Sequence, residues 1–390
     1  MIHLLDGFNW PVNATTANAT LDNHQNQPTS FFQFPPNPYV HPENGKGLFG
    51  ARENTGTALI HGLRIVARPA LTFTNGKLVV GGSFYANNIN TDGNRNFFGL
   101  LLCYTNDGYI GTTQVRSSAG SSDMAPPVTR LPSLLLKGSM LMLRKYASSS
   151  SSTSASTYVA SRDLTGVTSM GKHWFEVVYD FNANTVEVFI DNVSVLLHPY
   201  TFTEEEKTAS YRLQVHMQVC SSLPELYVTA VYAADERFGP CKVVAKYANA
   251  DVSVPPAFGE GPHFQKLNGS FISTDTNKLV TKQDASAEFG LTPSEITGDV
   301  KGVVVLGRLS STNRSAYETG ADVQYGLKLP QGTWASNKIP VPTPVEATER
   351  IEAVMLDKNP LTGTAFTKDE INSLGLTLTF DVTNKFTVAE

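Results

Sequence analysis

The chain has 390 residues, 41% of them hydrophobic, and a formal net charge of -5 from 30 basic and 35 acidic side chains. That apolar content suffices for two hydrophobic cores, and the mild acidity excludes the basic footprint of a nucleic-acid-binding protein. No apolar stretch approaches the roughly 20 residues that span a bilayer, and the opening "MIHLLDGFNW" lacks a basic region and a long apolar region, so the expectation is a soluble protein with no secretory signal and no membrane insertion.

In chain order, strand patterns dominate. "HGLRIVARPALTF" and "GKLVVGGSFYAN" hold β-branched and aromatic runs with Asn75-Gly76 between them, which predicts a hairpin. "NFFGLLLCYTNDGYIGTTQVRSS" repeats the pattern around Asn106-Asp107-Gly108, and "SLLLKGSMLMLRKY" repeats it around Lys137-Gly138. The run "SSSSSTSAST" (148–157) has almost nothing to bury and predicts a surface loop between two strands.

The clearest hairpin is "KHWFEVVYDFNANTVEVFIDNVSVLLH". Strand periodicity puts Phe175, Val177, Tyr179 and Phe181 on one face and Trp174, Glu176, Val178 and Asp180 on the other, which reads as solvated. Asn182-Ala183-Asn184 supplies the turn and Asp191-Asn192 the next bend, because Asn tolerates left-handed backbone. "YRLQVHMQV" and "ELYVTAVYAADE" read as a second sheet or a sheet edge.

A Pro/Gly-rich passage over 236–258 marks a domain boundary. Beyond it, "KGVVVLGRLSS", "ADVQYGLKLP", "TERIEAVMLDKNP" and "GLTLTFDVT" predict a smaller β domain. One helix stands out there, at about 368–374. Thr367-Lys368-Asp369-Glu370 has the T-x-x-E form of a capping box, Phe366 and Ile371 occupy the staple positions, and Gly375 stands where a C-cap glycine belongs.

Catalytic signatures are absent from the sequence: it holds no GxSxG, P-loop, HExxH or tandem CxxC. The three cysteines are far apart and the eight histidines lack metal-ligand spacing, so no metal or cofactor is expected. "NNINTDGNRN" (87–96) offers oxygens for calcium but a single carboxylate, and reads as a polar loop. A glycoside hydrolase would need two carboxylates about 5–9.5 Å apart on one face. Glu176 with Asp180, and Glu187 with Asp191, are the pairs to weigh, but both also suit an amphipathic hairpin. Sugar or partner contact would use exposed aromatics, for which Trp10, Tyr109, Trp174 and Trp334 are the candidates.

Four segments taken in order resemble a family of tailed-bacteriophage virion proteins. "LLDGFNW" is similar to that family's "DGFD"-type start, and "WFEVVYDFNANTVEVFIDNVSVL" to the paired strands and turn of concanavalin A-like, laminin-G-like sandwiches. "LYVTAVYAADERFGPCKVVAKYANADV" resembles its closing strand. "ERIEAVMLDKNPLTGTAFTKDEINSLGLTL" is similar to its "dPaTGaaWt…inalefGv" ending, with Asn359-Pro360, Thr362-Gly363, Phe366, Ile371-Asn372 and Gly375 at matching positions. Three departures are Asp191-Asn192 for Asp-Gly, Ala248 for proline and Phe366 for tryptophan. The resemblance implies an all-β protein: a concanavalin A-like β-sandwich over 1–238 and a β-rich C-terminal domain with one short capped helix over 239–390. It further implies a non-enzymatic component of the virion (tail, neck, fibre attachment or capsid decoration), made in the bacterial cytoplasm, a homo-oligomer contacting other virion subunits. The alternative is a lectin-like receptor-binding module for host-surface glycan; a polysaccharide-degrading sandwich is the third reading.

Overall fold

In the computed structural model the described residues are 1–6, 32–33, 39–40, 49–52, 60–67, 71–73, 75–86, 96–104, 113–117, 129–137, 139–146, 156–164, 171–219, 225–244, 246–267, 279, 281, 283–310, 321–341 and 349–382. The chain divides into two compact units, Met1–Val243 and Val244–Glu390.

The first unit is built from two eight-stranded antiparallel sheets. The order in one is Val193–Pro199, Thr185–Ile190, Gly171–Asp180, Lys77–Ala86, Glu225–Ala234, Phe49–Arg52, Tyr39–Val40, with Ile2–Asp6 also pairing to Glu225–Ala234. The other runs Ser156–Asp163, Met140–Tyr146, Thr129–Lys137, Asn96–Tyr104, Tyr211–Val219, Ile60–Ala67, Phe32–Gln33, with Thr113–Ser117 beside Ile60–Ala67. Their inner faces meet in one apolar layer. Phe84 and Phe175 of the first sheet close on Phe98 of the second, with ring centroids 4.5 and 5.9 Å apart. The Tyr179 hydroxyl crosses the layer to donate to the Pro132 carbonyl at 2.8 Å. This is the sandwich architecture, of the concanavalin A-like kind.

The long hairpin forms in the expected register, with Phe175 opposite Ile190, Val177 opposite Val188 and Tyr179 opposite Val186. Asn184 takes φ +53°, and Asp191 and Asn192 take +47° and +71°. Left-handed backbone at both central residues is what a two-residue hairpin turn requires. The Met140–Tyr146 strand pairs with Thr129–Lys137 across the expected Lys137 turn. It also pairs with Ser156–Asp163, so the serine-rich run joins two neighbouring strands. Ser156 and Thr157 belong to the strand rather than the loop; 147–155 lie outside the described residues.

Three expectations are corrected. Ile60–Ala67 and Lys77–Ala86 are not a hairpin: they belong to opposite sheets, and Asn75-Gly76 (Gly76 φ +70°) turns the chain from one to the other. Asn96–Tyr104 does not pair with Thr113–Ser117, which lies beyond two other strands. Tyr211–Val219 and Glu225–Ala234 form neither one sheet nor an edge; each is central, in opposite sheets. In all three cases the pairing partner lies far along the sequence, where local turn residues carry no information about it.

The second unit has a six-stranded antiparallel sheet in the order Ala248–Ser253, Ala285–Leu291, Gly375–Asp381, Asp322–Leu329, Gly332–Ala335, with Ile339–Pro340 also pairing to Asp322–Leu329. A two-stranded ribbon, Val303–Ser310 with Glu349–Leu356, completes it. Phe289, Val323, Tyr325 and Leu327 from the sheet, Val305 and Leu309 from the ribbon, and Phe366, Ile371 and Leu374 share one core.

Three short α-helices are described: α1 (Glu204–Thr208), α2 (His263–Leu267) and α3 (Lys368–Asn372). The last is the expected helix, and its Phe366 and Ile371 are both buried. It ends at Ser373, whose N–H bonds to the Asp369 carbonyl, so Gly375 is not its C-cap but the first residue of the next strand. There a Cβ would lie 3.1 Å from that of Lys328.

Candidate functional site

The outer face of the strand Gly171–Asp180 was expected to be solvated, and at Trp174, Glu176 and Val178 it is buried. Tyr232, Gly81, Glu176 and Phe189 stand in one row across four neighbouring strands. Because position 81 has no side chain, the Tyr232 ring lies across it; a Cβ there would sit 2.2 Å from the ring. The Tyr232 hydroxyl thereby reaches Glu176 and donates to its Oε1.

The segment that follows, Asp235–Gly239, folds back over this row. Arg237 donates from Nε and Nη2 to Glu176 Oε2 at 2.9 and 2.8 Å. The backbone N–H groups of Phe238 and Gly239 donate to Oε1 at 3.1 and 2.8 Å. Arg237 also lies 3.3 Å from the Phe189 ring centroid and donates to Asn192 Oδ1. Trp174, Tyr232 and Phe238 stack in a column, with centroids 5.8 and 4.3 Å apart. Glu176 is fully buried. A buried carboxylate is tolerable only when paired and saturated with donors, and this one is. Burial, followed by the Glu176 charge, pushes the Tyr232 hydroxyl far up, so it is a fixed donor.

The other carboxylates weighed for catalysis are likewise engaged. Asp180 accepts the Asn182 and Ala183 N–H groups in the hairpin turn and pairs with Lys77 at 3.0 Å. Burial raises its pKa, but those bonds and Lys77 outweigh it and hold the carboxyl below its ordinary range. Glu187 accepts from Ser194 Oγ at 2.6 Å. Asp191 accepts the Trp174 N–H and faces the buried His173 ring, both at 2.8 Å.

Two further carboxylates act as hubs. Glu206 of α1 is buried and joins Lys145 Nζ, Tyr200 Oη and the Thr203 N–H at 2.7, 2.8 and 2.8 Å. Burial pushes it up, but Lys145 and the other donors hold it below the ordinary glutamate range. Glu370 of α3 accepts from the Thr367 N–H, Asn359 Nδ2 and Gln331 Nε2 at 2.7, 2.7 and 2.6 Å. The Thr367 N–H is the chief cause of its lowered pKa. Asn359 is fully buried and also caps the Leu361 N–H, so this residue of the C-terminal motif organises the loop before α3.

Two of the four candidate contact aromatics, Trp174 and Trp334, lie among the described residues. Trp174 is buried in the column beneath Phe238 and is corrected from exposed contact to packing residue. Trp334 belongs to the other unit, half-buried against its core on the Gly332–Ala335 strand. Trp10 and Tyr109 lie outside the described residues, as do 87–95 of the calcium candidate. Among the described residues no group of three metal-ligating side chains gathers, and no helix is long and apolar enough to cross a membrane.

No family model matches the chain, and no curated protein matches it. Solved structures similar to it include the Emp46p carbohydrate recognition domain in its potassium-bound form, at 13% identity and TM-score 0.39, covering 60% of this chain and 100% of that one. The Griffonia simplicifolia lectin I-B4 is similar at 12% identity and TM-score 0.31, covering 48% of this chain and 87% of that one. A Bacteroides ovatus mixed-linkage glucan GH16 protein is similar at 9% identity and TM-score 0.32, covering 59% and 99%.

Proposed function

We propose that the protein is a non-enzymatic structural component of a phage particle, located in the virion and acting by contact with other subunits and with copies of itself. The observation that carries the non-enzymatic part is the engagement of the carboxylates. Glu176, Asp180, Glu187 and Asp191 each serve a bond that holds a strand, turn or closing segment in place. The virion part is supported by the resemblance in the closing segment and the C-terminal motif. Its residues have folding roles here: Arg237 clasps Glu176, and Asn359 holds Glu370. Cryo-electron microscopy of the intact particle tests the proposal. The expected result is this chain packed against other subunits on capsid, neck or tail; its absence from the particle overturns the proposal.

A lectin-like role toward host-surface glycan is the second reading, and one observation favours it. Leu213 and Val215 point into the inter-sheet layer, so Gln214 points to the outer face of the second sheet. Its amide is buried there, and among the described residues neither its nitrogen nor its oxygen has a hydrogen-bond partner. Unbonded buried amides are uncommon; a sugar that uncovered this one would meet it with hydroxyls that both donate and accept. Glycan-array binding that disappears in Gln214→Ala supports this reading; an array without signal removes it.

A further inference from the structure

The turn that carries the chain from one sheet of the first unit to the other holds an exposed asparagine followed by a glycine that the fold cannot replace. Gly76 takes φ +70°, left-handed backbone suited to glycine. The Asn182 carboxamide fills the place of its missing side chain, with Nδ2 2.6 Å from where a Cβ would stand. The Gly76 carbonyl accepts the Phe181 N–H at 2.8 Å, and among the described residues no acceptor takes its own N–H. The residue before it, Asn75, is exposed and donates from Nδ2 to Asp235 Oδ2 at 2.9 Å.

We propose that Asn75 is a self-modification site: the Gly76 nitrogen closes on the Asn75 carboxamide carbon, and the resulting carboxylate parts the turn from Asp235. Hydroxide takes the Gly76 N–H proton, a bond forms from that nitrogen to Asn75 Cγ, and the Cγ–Nδ2 bond breaks. The leaving nitrogen takes a proton from water and departs as ammonia, which restores the hydroxide. Water then opens the five-membered imide. Breaking the new bond leaves aspartate; breaking the original peptide bond leaves isoaspartate, with the main chain running through the side-chain carbons. Either way one water is consumed, one ammonia is released, nothing is oxidised or reduced, and one negative charge is added.

Other turn asparagines lack this arrangement. Asn182 and Asn184 are equally exposed. The nitrogen after Asn182 belongs to Ala183, carries a side chain beside it and is bound to Asp180 Oδ1 at 2.9 Å. After Asn184 comes Thr185, β-branched and paired with Asp180 in the sheet. After Asn359 comes Pro360, which has no N–H to lose. The consequence at Asp235 follows from donor and acceptor counts. Its carboxylate only accepts while ionised, and Asn75 meets it with a donor; the product meets it with acceptors alone and a like charge. Asp235 also faces His3 Nε2 at 2.6 Å, and its N–H donates to the Met1 carbonyl at 3.0 Å. The lost contact therefore lies where the N-terminal strand, the inter-sheet turn and the segment closing over Glu176 meet.

The test holds the folded full chain at pH 8 and follows its peptides by mass, with isoaspartate methyltransferase as the probe for the rearranged product. The expected result is a gain of one mass unit and methyl labelling on the peptide that contains Asn75, while the peptide that contains Asn182 and Asn184 keeps its mass. Asn75→Gln is expected to leave its peptide unchanged over the same period. In the converted chain and in Asn75→Asp, hydrogen exchange at the Asp235 amide is expected to rise while that of Tyr179 in the core holds. An Asn75 peptide that keeps its mass in the folded chain after the urea-unfolded chain has converted overturns the proposal. So does conversion at Asn182 or Asn184 as fast as at Asn75, and so does a converted chain whose Asp235 exchange is unchanged. If Asn75→Asp does not fold, the converted wild-type chain supplies both readings.

Discussion

Helices α1 and α3 begin alike and end in different company. In each, a threonine accepts from the N–H of a glutamate three residues on, at 3.2 Å in both, and that glutamate returns to the threonine N–H. Each glutamate is buried. Beyond the box they diverge: Glu206 meets a cation, Lys145, and a tyrosine, whereas Glu370 meets the neutral amides of Asn359 and Gln331. A local signature fixes where a helix starts, and the rest of the fold decides how the same buried carboxylate is compensated. Glu206 thereby ties α1 to the strand Met140–Tyr146, and Glu370 ties α3 to Gln331, in the turn between Asp322–Leu329 and Gly332–Ala335.

The largest expected break in this comparison is Lys145→Met. It leaves Glu206 buried and ionised without its cation, and breaking a buried pair on one side costs about 3–5 kcal/mol. Lys145 is 31% exposed, which puts the expectation at about 3 kcal/mol, seen as a lower urea midpoint with exchange rising first at α1. Asn359→Ala comes next, at about 2 kcal/mol, because it strands the Leu361 N–H and removes a donor from Glu370; its signature is exchange rising at α3 and not at α1. Thr203→Ala and Thr367→Ala are expected to cost the same, about 1 kcal/mol each, since their local tasks match. A large inequality in the urea midpoints would show that one of the boxes is held by its tertiary partners alone.

Acid and salt sharpen the comparison further. Both glutamates are held below their ordinary range. Each therefore contributes stability above the unfolded value, about 4.3, and loses it as pH falls through its lowered folded value. Exchange at α1 and α3 is expected to rise together on acidification. Added salt is the smallest effect and acts on one side: it screens Lys145–Glu206 and spares the neutral donors of Glu370.

Legibility in the sequence follows the same line. The capping box at Thr367 is readable because all its parts lie within four residues. The box at Thr203 in "TEEEK" is equally local and was not read; Lys145 and Tyr200 reveal that its last glutamate is buried. The hairpin over 172–198 was legible from strand alternation and its Asn-rich turns. Its Glu176 face was misread because its cover, Arg237 to Gly239, lies some sixty residues on. Gly81 was the missed clue: a glycine in the middle of a strand marks a close approach, here by the Tyr232 ring.

The most direct test of the central claim, that the sandwich spends its carboxylates on folding, is Glu176→Gln assayed in parallel for urea midpoint and for reducing ends released from host polysaccharide. The account predicts a lower midpoint for the variant and no released sugar from either protein. Sugar release by the wild type that the variant abolishes at an unchanged midpoint would contradict it.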